Sequence, residues 1–220
     1  MFDFEYSFKL GMTISDLEKQ IQTELSRALK AQGLDVNLIS SETREGIKKI
    51  IRESLRSHPT FKSLIDGELW AELGLPMKAR LWASTTMLDI ISDGVEIVTK
   101  IAGMNPVTIE LDIMWSNEQM LDLINNGFAS YISQNIRKGT KYQIPWLEWL
   151  VEGGSSILVQ NFHIEYGDFP HSRSGQAHMI EGGEWSVPSQ YQGVLSDNFI
   201  TQSINRSIPK VVQYIMSKFS

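Results

Sequence analysis

Residues 107–115, VTIELDIMW, set Val107, Ile109, Leu111, Ile113 and Trp115 on one side of an extended chain and Thr108, Glu110, Asp112 and Met114 on the other. Successive side chains of a strand point to opposite faces, so this segment needs a sheet with one face covered and one mostly polar. Strands of a parallel doubly wound fold, buried on both faces, read instead as unbroken apolar runs. The N-terminal FDFEYSFKL repeats the pattern, with Phe2, Phe4, Tyr6, Phe8 and Leu10 alternating with Asp3, Glu5, Ser7 and Lys9. So aromatic a strand predicts a sheet to lie on. It is either an edge strand of its own domain or an arm adding to a neighbouring subunit's sheet.

Helical signals lie around these strands. Ser15 opens a capping box with Glu18, and Leu17, Ile21, Leu25 and Leu29 then recur every four residues up to Gly33. A second helix is predicted over 42–57, with Ile47, Ile50, Ile51 and Ser54 on one side and Arg44, Lys48, Arg52 and Arg56 at strict i+4 spacing on the other. That basic stripe reads as a solvated helix face, or as a face docking on an acidic partner or on DNA. Pro59 disfavours helix at His58, and Gly67 and Gly74 divide the next segment, TFKSLIDGELWAELGLP, into short turns. GVEIVTKIA predicts another strand before 107–115. Ser116 and Asn117 predict the cap of a helix through 135, with Met120, Leu121, Ile124, Phe128, Tyr131 and Ile132 as its buried stripe. Pro145 starts a short helical turn, WLEWLVEGG, closed by paired glycines. SSILVQNFHIEY and GQAHMI then pair as a hairpin. A last helix carries Phe199, Ile200, Ile204, Ile208, Val211, Val212 and Ile215, with Ser196 or Asp197 as cap and Pro209 as a kink or restart.

This order lacks regular strand–helix alternation and a glycine-rich phosphate loop. It predicts an α+β fold: a mixed or antiparallel sheet flanked by helices, with a long hairpin loop and an N-terminal strand or arm. Length and a 42% hydrophobic content predict a single domain over 1–220, with residues 1–12 as the strand or arm. The chain has no cysteine, which excludes disulfides and thiolate zinc sites and fits a reducing compartment. The first twelve residues read as neither a secretory signal nor a membrane span. A net charge of −6 argues against generic attachment to phosphate backbones.

The loop PHSRSGQAHM, residues 170–179, gathers His171, Ser172, Arg173, Ser174 and His178 around Gly175. A hydrolase needs a nucleophile beside an oriented base, yet neither serine stands in a G-x-S-x-G elbow. His163, His171 and His178 follow at spacings of eight and seven, not the three to five of a zinc ligand pair. Glu148 and Glu152 lie one turn apart beside Trp146 and Trp149, an amphipathic turn with its acidic side in water. Catalytic, cofactor and metal-ligand assignments are therefore none. What stands out is tryptophan and tyrosine interleaved with glycine and proline, the material of core packing or of interface anchors.

The succession SLIDGELWAELGLP, IPWLEWLVEGG, SRSGQAHM and WSVPSQYQGVLSDNFITQSI resembles tailed-bacteriophage neck and tail-completion (head–tail joining) proteins, over residues 40–219. The residues carrying it are Leu64, Gly67 and Leu69; Trp146, Leu147, Glu148, Trp149, Leu150 and Gly153; Ser172, Arg173, Ser174, Gly175, Ala177 and Met179. Trp185, Val187, Pro188, Gly193 and the run Asp197, Asn198, Phe199, Ile200 and Thr201 complete them. Tyr191 replaces the family's phenylalanine, Val194 its threonine, Gln202 its arginine and Ser203 its alanine.

The resemblance implies a structural virion protein assembled in the host cytoplasm, not an enzyme. It would form a homo-oligomeric ring, a hexamer, in the neck that joins the portal and connector to the tail. Its partners would be connector or adaptor proteins above and terminator, tube or sheath proteins below, with genomic DNA passing the channel and no membrane. A tail terminator ring is the nearest alternative; a soluble enzyme or binding domain is an alternative of another class. On this reading Arg173, Gly175, Trp149, Trp185, Tyr191, Asn198 and Phe199 are interface residues. Arg173 would pair with a carboxylate or carbonyl across the interface, and Gly175 would allow a turn that a side chain would obstruct. The stripe Arg44, Lys48, Arg52 and Arg56 would face a partner or DNA.

Overall fold

The computed structural model describes residues 2–9, 40–104, 107–134 and 141–219. The helix predicted from Ser15 to Gly33 lies outside the described residues. The fold is α+β. Contacts divide the chain into two units. One comprises the described residues within Met1–Ile51, Ser92–Asn117 and Ser207–Ser220; the other comprises those within Arg52–Ile91 and Glu118–Arg206.

The first unit holds a three-stranded antiparallel sheet. Strand β1 (Phe2–Lys9) pairs with β3 (Val107–Trp115), which pairs on its other side with β2 (Glu96–Met104), in the order β1-β3-β2. The β1–β3 register runs without a break from Phe2 opposite Trp115 to Lys9 opposite Thr108. Ile97, Ile113 and Trp115 are buried while Glu96 is exposed, as the alternation requires. The N-terminal strand is thus an edge strand on the chain's own sheet.

Helix α1 (Ser41–Ser57) begins where the Ser40 hydroxyl accepts the Thr43 amide at 3.2 Å, and it buries Ile47, Ile51 and Leu55 at i+4 spacing. It ends before Pro59. There His58 caps α2 (Pro59–Asp66), its Nδ1 accepting the Thr60 amide at 3.2 Å. Because Nδ1 accepts, the proton sits on Nε2, which donates to Gln202 Oε1 at 3.1 Å. Gln202 in turn donates to Asp197 at 2.9 Å. Burial lowers the His58 pKa, with Arg206 adding to the effect, so the neutral ring is the form that fits the cap.

Short helices α3 (Glu68–Glu72) and α4 (Met77–Trp82) come next; a π-helical segment, Ala83–Met87, leads on to α5 (Leu88–Gly94). Arg80 donates through Nε and Nη2 to the Ile65 carbonyl and lies 4.0 Å over Trp70, placing a cation at the last turn of α2.

The predicted helix over 117–135 stops early. Helix α6 covers Asn117–Ile124, and the Asn125-Asn126-Gly127 turn breaks it, with Asn126 Oδ1 accepting the Phe128 amide at 3.0 Å. Tyr131 and Ile132 belong instead to strand β4 (Tyr131–Gln134), paired with β5 (Lys141–Ile144). Of the expected stripe Met120 is buried, whereas Leu121, Phe128 and Ile132 are exposed.

Helix α7 (Trp146–Val151) packs Trp146 edge-on against Trp82, with the Trp146 indole donating to the Phe128 carbonyl at 2.9 Å. Strands β6 (Val159–Tyr166) and β7 (Ala177–Trp185) form the predicted antiparallel hairpin. Helix α8 (Phe199–Phe219) runs unbroken through Pro209, so the restart does not occur. Its cap is Asn198, one residue beyond the two expected: Asn198 Oδ1 accepts the amides of Ile200 at 3.0 Å and Thr201 at 3.3 Å. Thr201 Oγ1 accepts the Asn198 amide in return at 2.9 Å.

Candidate functional site: the hairpin ribbon and its anchors

Strands β6 and β7 make a sheet of two strands only, and among the described residues no strand pairs with either outer edge. Most of their side chains are exposed or half-buried; Ala177 and Trp185 are buried. The ribbon is bent by a bulge: between the Gln160–Glu184 and Phe162–Glu181 pairs, Asn161 stands opposite Gly182 and Gly183. All three have positive φ (64°, 105° and 77°), a region that glycine enters freely and asparagine tolerates. His163 Nδ1 donates to the Gly182 carbonyl at 2.7 Å and closes the bend.

One carboxylate ties both ends of the bent ribbon to α3. Glu72 accepts the Trp185 indole N–H at 3.0 Å through Oε2 and the Tyr166 hydroxyl through Oε1. Desolvation first, and then the hydrogen bond and charge of Glu72, push the Tyr166 phenol well above its ordinary pKa, so it stays a donor. Trp185 also meets Trp149, with ring centroids 5.7 Å apart.

The loop 167–176 is built by its own hydroxyls. Ser172 Oγ accepts the Gly175 amide at 2.9 Å, while Ser174 Oγ accepts the amides of Gln176 at 3.3 Å and Ala177 at 3.1 Å. Both serines are therefore engaged with backbone. Gly175 has φ +73°, a turn conformation that glycine adopts without strain; a Cβ there would meet nothing within 4 Å, so the backbone conformation, not the obstruction expected from the sequence, calls for glycine. His178 packs on Phe169 with centroids 5.6 Å apart, and His171 is exposed.

Arg173 is exposed yet engaged within the chain. Its Nη1 donates to the Gly74 carbonyl at 3.2 Å, its Nη2 to Ser133 Oγ at 3.3 Å, and its guanidinium lies 4.4 Å over the Tyr131 ring. Tyr131 donates to the Leu73 carbonyl; burial raises its pKa, and the Arg173 charge opposes that rise. The guanidinium thus has a carbonyl acceptor of its own chain and donors left over.

The other expected interface residues separate by burial. Trp185, Asn198 and Phe199 are buried in the chain's own core, at 7%, 0% and 3% exposure; Trp149 and Tyr191 are half-buried. In the basic stripe Lys48 pairs with Asp93 at 3.1 Å and Glu45 at 3.2 Å, and Arg52 pairs with Asp89 at 3.2 Å. Those bonds raise the Lys48 pKa. Arg44 and Lys48 line an open cleft of ≈ 430 Å³ together with Glu96, Ile97 and Val98, while Arg56 is exposed. Two of the four stripe cations therefore answer the acidic side of α5.

Glu148 and Glu152 are exposed, and Glu152 is raised by desolvation and then by repulsion from Glu148. Among the described residues no three His, Cys, Asp or Glu side chains gather as a metal site. No helix among them is long and apolar enough to cross a membrane. Sequence reasoning missed Glu72, whose partners lie 94 and 113 residues away, and the His58–Gln202 pair, 144 residues apart. No family model, curated protein or solved structure matches the chain.

Proposed function

We propose that this chain is a structural component of a tailed-bacteriophage particle, forming a closed ring in the neck that joins the portal and connector to the tail. The observation that carries the reading is the β6–β7 ribbon. A two-stranded ribbon is at best marginally stable alone in water, and unpaired edges invite further strands. This one is long, bent by its bulge and tied down through Glu72, with both outer edges unpaired among the described residues. Such an element suits a heterologous contact, in which one surface of a copy meets a different surface of the next and the rotation closes. The SRSGQAHM motif of the resemblance forms its loop and the start of β7, which links that motif to the same element.

Negative-stain images of the purified chain test the reading. Annular particles with a central channel are expected; a uniform field of single small bodies, together with absence of the chain from virus particles, would sink it.

A further inference from the structure

We infer that in the assembled ring the strand Phe2–Lys9 of each copy pairs with β3 of the next copy, in place of its own. The inference rests on the ring reading and names the contact that closes it. Strand β1 makes its substantial contacts with one element, β3, among the described residues. The pairing covers all eight of its residues with no register break. An identical strand from another copy reproduces that ladder pair for pair, so exchange gives up no β1–β3 hydrogen bond. The recipient edge has a use for it. Without β1 the sheet is a β2–β3 hairpin, and two strands seldom suffice where three with a covered face do.

Reach permits the exchange. Thirty residues, 10–39, connect the strand to Ser40. A chain of thirty residues can span at most ~100 Å, so its length sets no bar to reaching a neighbouring copy. A donor strand and a recipient edge are moreover two unlike surfaces on one chain, the requirement for a head-to-tail ring.

The absence of cysteine makes the test direct. Ser7 lies opposite Glu110 and Glu5 opposite Asp112. Facing residues of an antiparallel pair have Cα atoms about 4.5–5.5 Å apart, within disulfide range. The double variants Ser7→Cys/Glu110→Cys and Glu5→Cys/Asp112→Cys are oxidised and run on non-reducing gels, beside co-expressed single variants and light scattering of each sample. A covalent ladder in multiples of 25.0 kDa from the double variants, and dimers from the co-expressed singles, is the expected result. Cross-linked monomers alone in a sample that scatters as a ring overturn strand exchange and leave the ring reading standing. Scattering as a monomer overturns both. A ring in which neither cysteine pair cross-links removes the β1–β3 pairing itself, and the inference with it.

Discussion

The β1-β3-β2 sheet and the β6–β7 ribbon are both antiparallel, but they make different use of their side chains. In the sheet, alternation puts Ile113 and Trp115 wholly inside, and a third strand completes the layer. In the ribbon, exposed and half-buried positions succeed one another with little period, and stability comes from a few tethers: the Glu72 carboxylate, the Trp149–Trp185 contact and the Arg173 fork. Apolar burial holds a layer in bulk, whereas point contacts hold a ribbon in place and leave its surface available. The contrast yields a ranked set of expected effects.

The largest belongs to the sheet. Trp115→Ala is expected to cost ~3–5 kcal/mol in urea unfolding, because it empties a fully buried site. Next comes Glu72→Ala, expected to cost ~1–3 kcal/mol by leaving the Trp185 indole without its acceptor. Hydrogen exchange should show that loss concentrated in β6 and β7 while β3 keeps its protection. Uniform loss across both would break the comparison.

A cap effect of ~1 kcal/mol is expected for Asn198→Ala, since two α8 amides lose their acceptor, and a smaller one for Asn198→Asp, which keeps it. His58 gives a pH signature instead. Its folded pKa is lowered from the ordinary 6.5, so below about neutrality the unfolded chain binds the proton first and the fold loses stability as pH falls. The loss proceeds at up to ~1.4 kcal/mol per pH unit and levels off below the folded pKa. His58→Asn, which keeps an acceptor for Thr60, should flatten that slope between pH 7 and 5; an unchanged slope would assign it to other groups. The smallest effect is expected at the exposed ribbon residue Met179, where alanine should change stability by less than ~0.5 kcal/mol.

Much of this contrast is legible in the residues. The alternation of 107–115 marks both the strand and its buried face, and the aromatic alternation of 2–9 identifies β1 while leaving open whose sheet it joins. Local signals also place α1, Pro59, the WLEWLV turn and the hairpin. A helix over 117–135 overextends because Phe128, Tyr131 and Ile132 match a helical period, although Asn125-Asn126-Gly127 is itself a stop signal. Asn198 displaces Ser196 and Asp197 as cap because its side chain reaches both the α8 amides and the carbonyls of Val194 and Leu195. Burial of Trp185 and Phe199, and the tethering by Glu72, depend on residues far apart in the chain. Periodicity reports only local neighbours.

The mass of the purified chain in solution, by light scattering at micromolar concentration, tests the ring most directly. A closed assembly of about six copies of 25.0 kDa is the expected result; a 25.0 kDa species that persists at every concentration would contradict it.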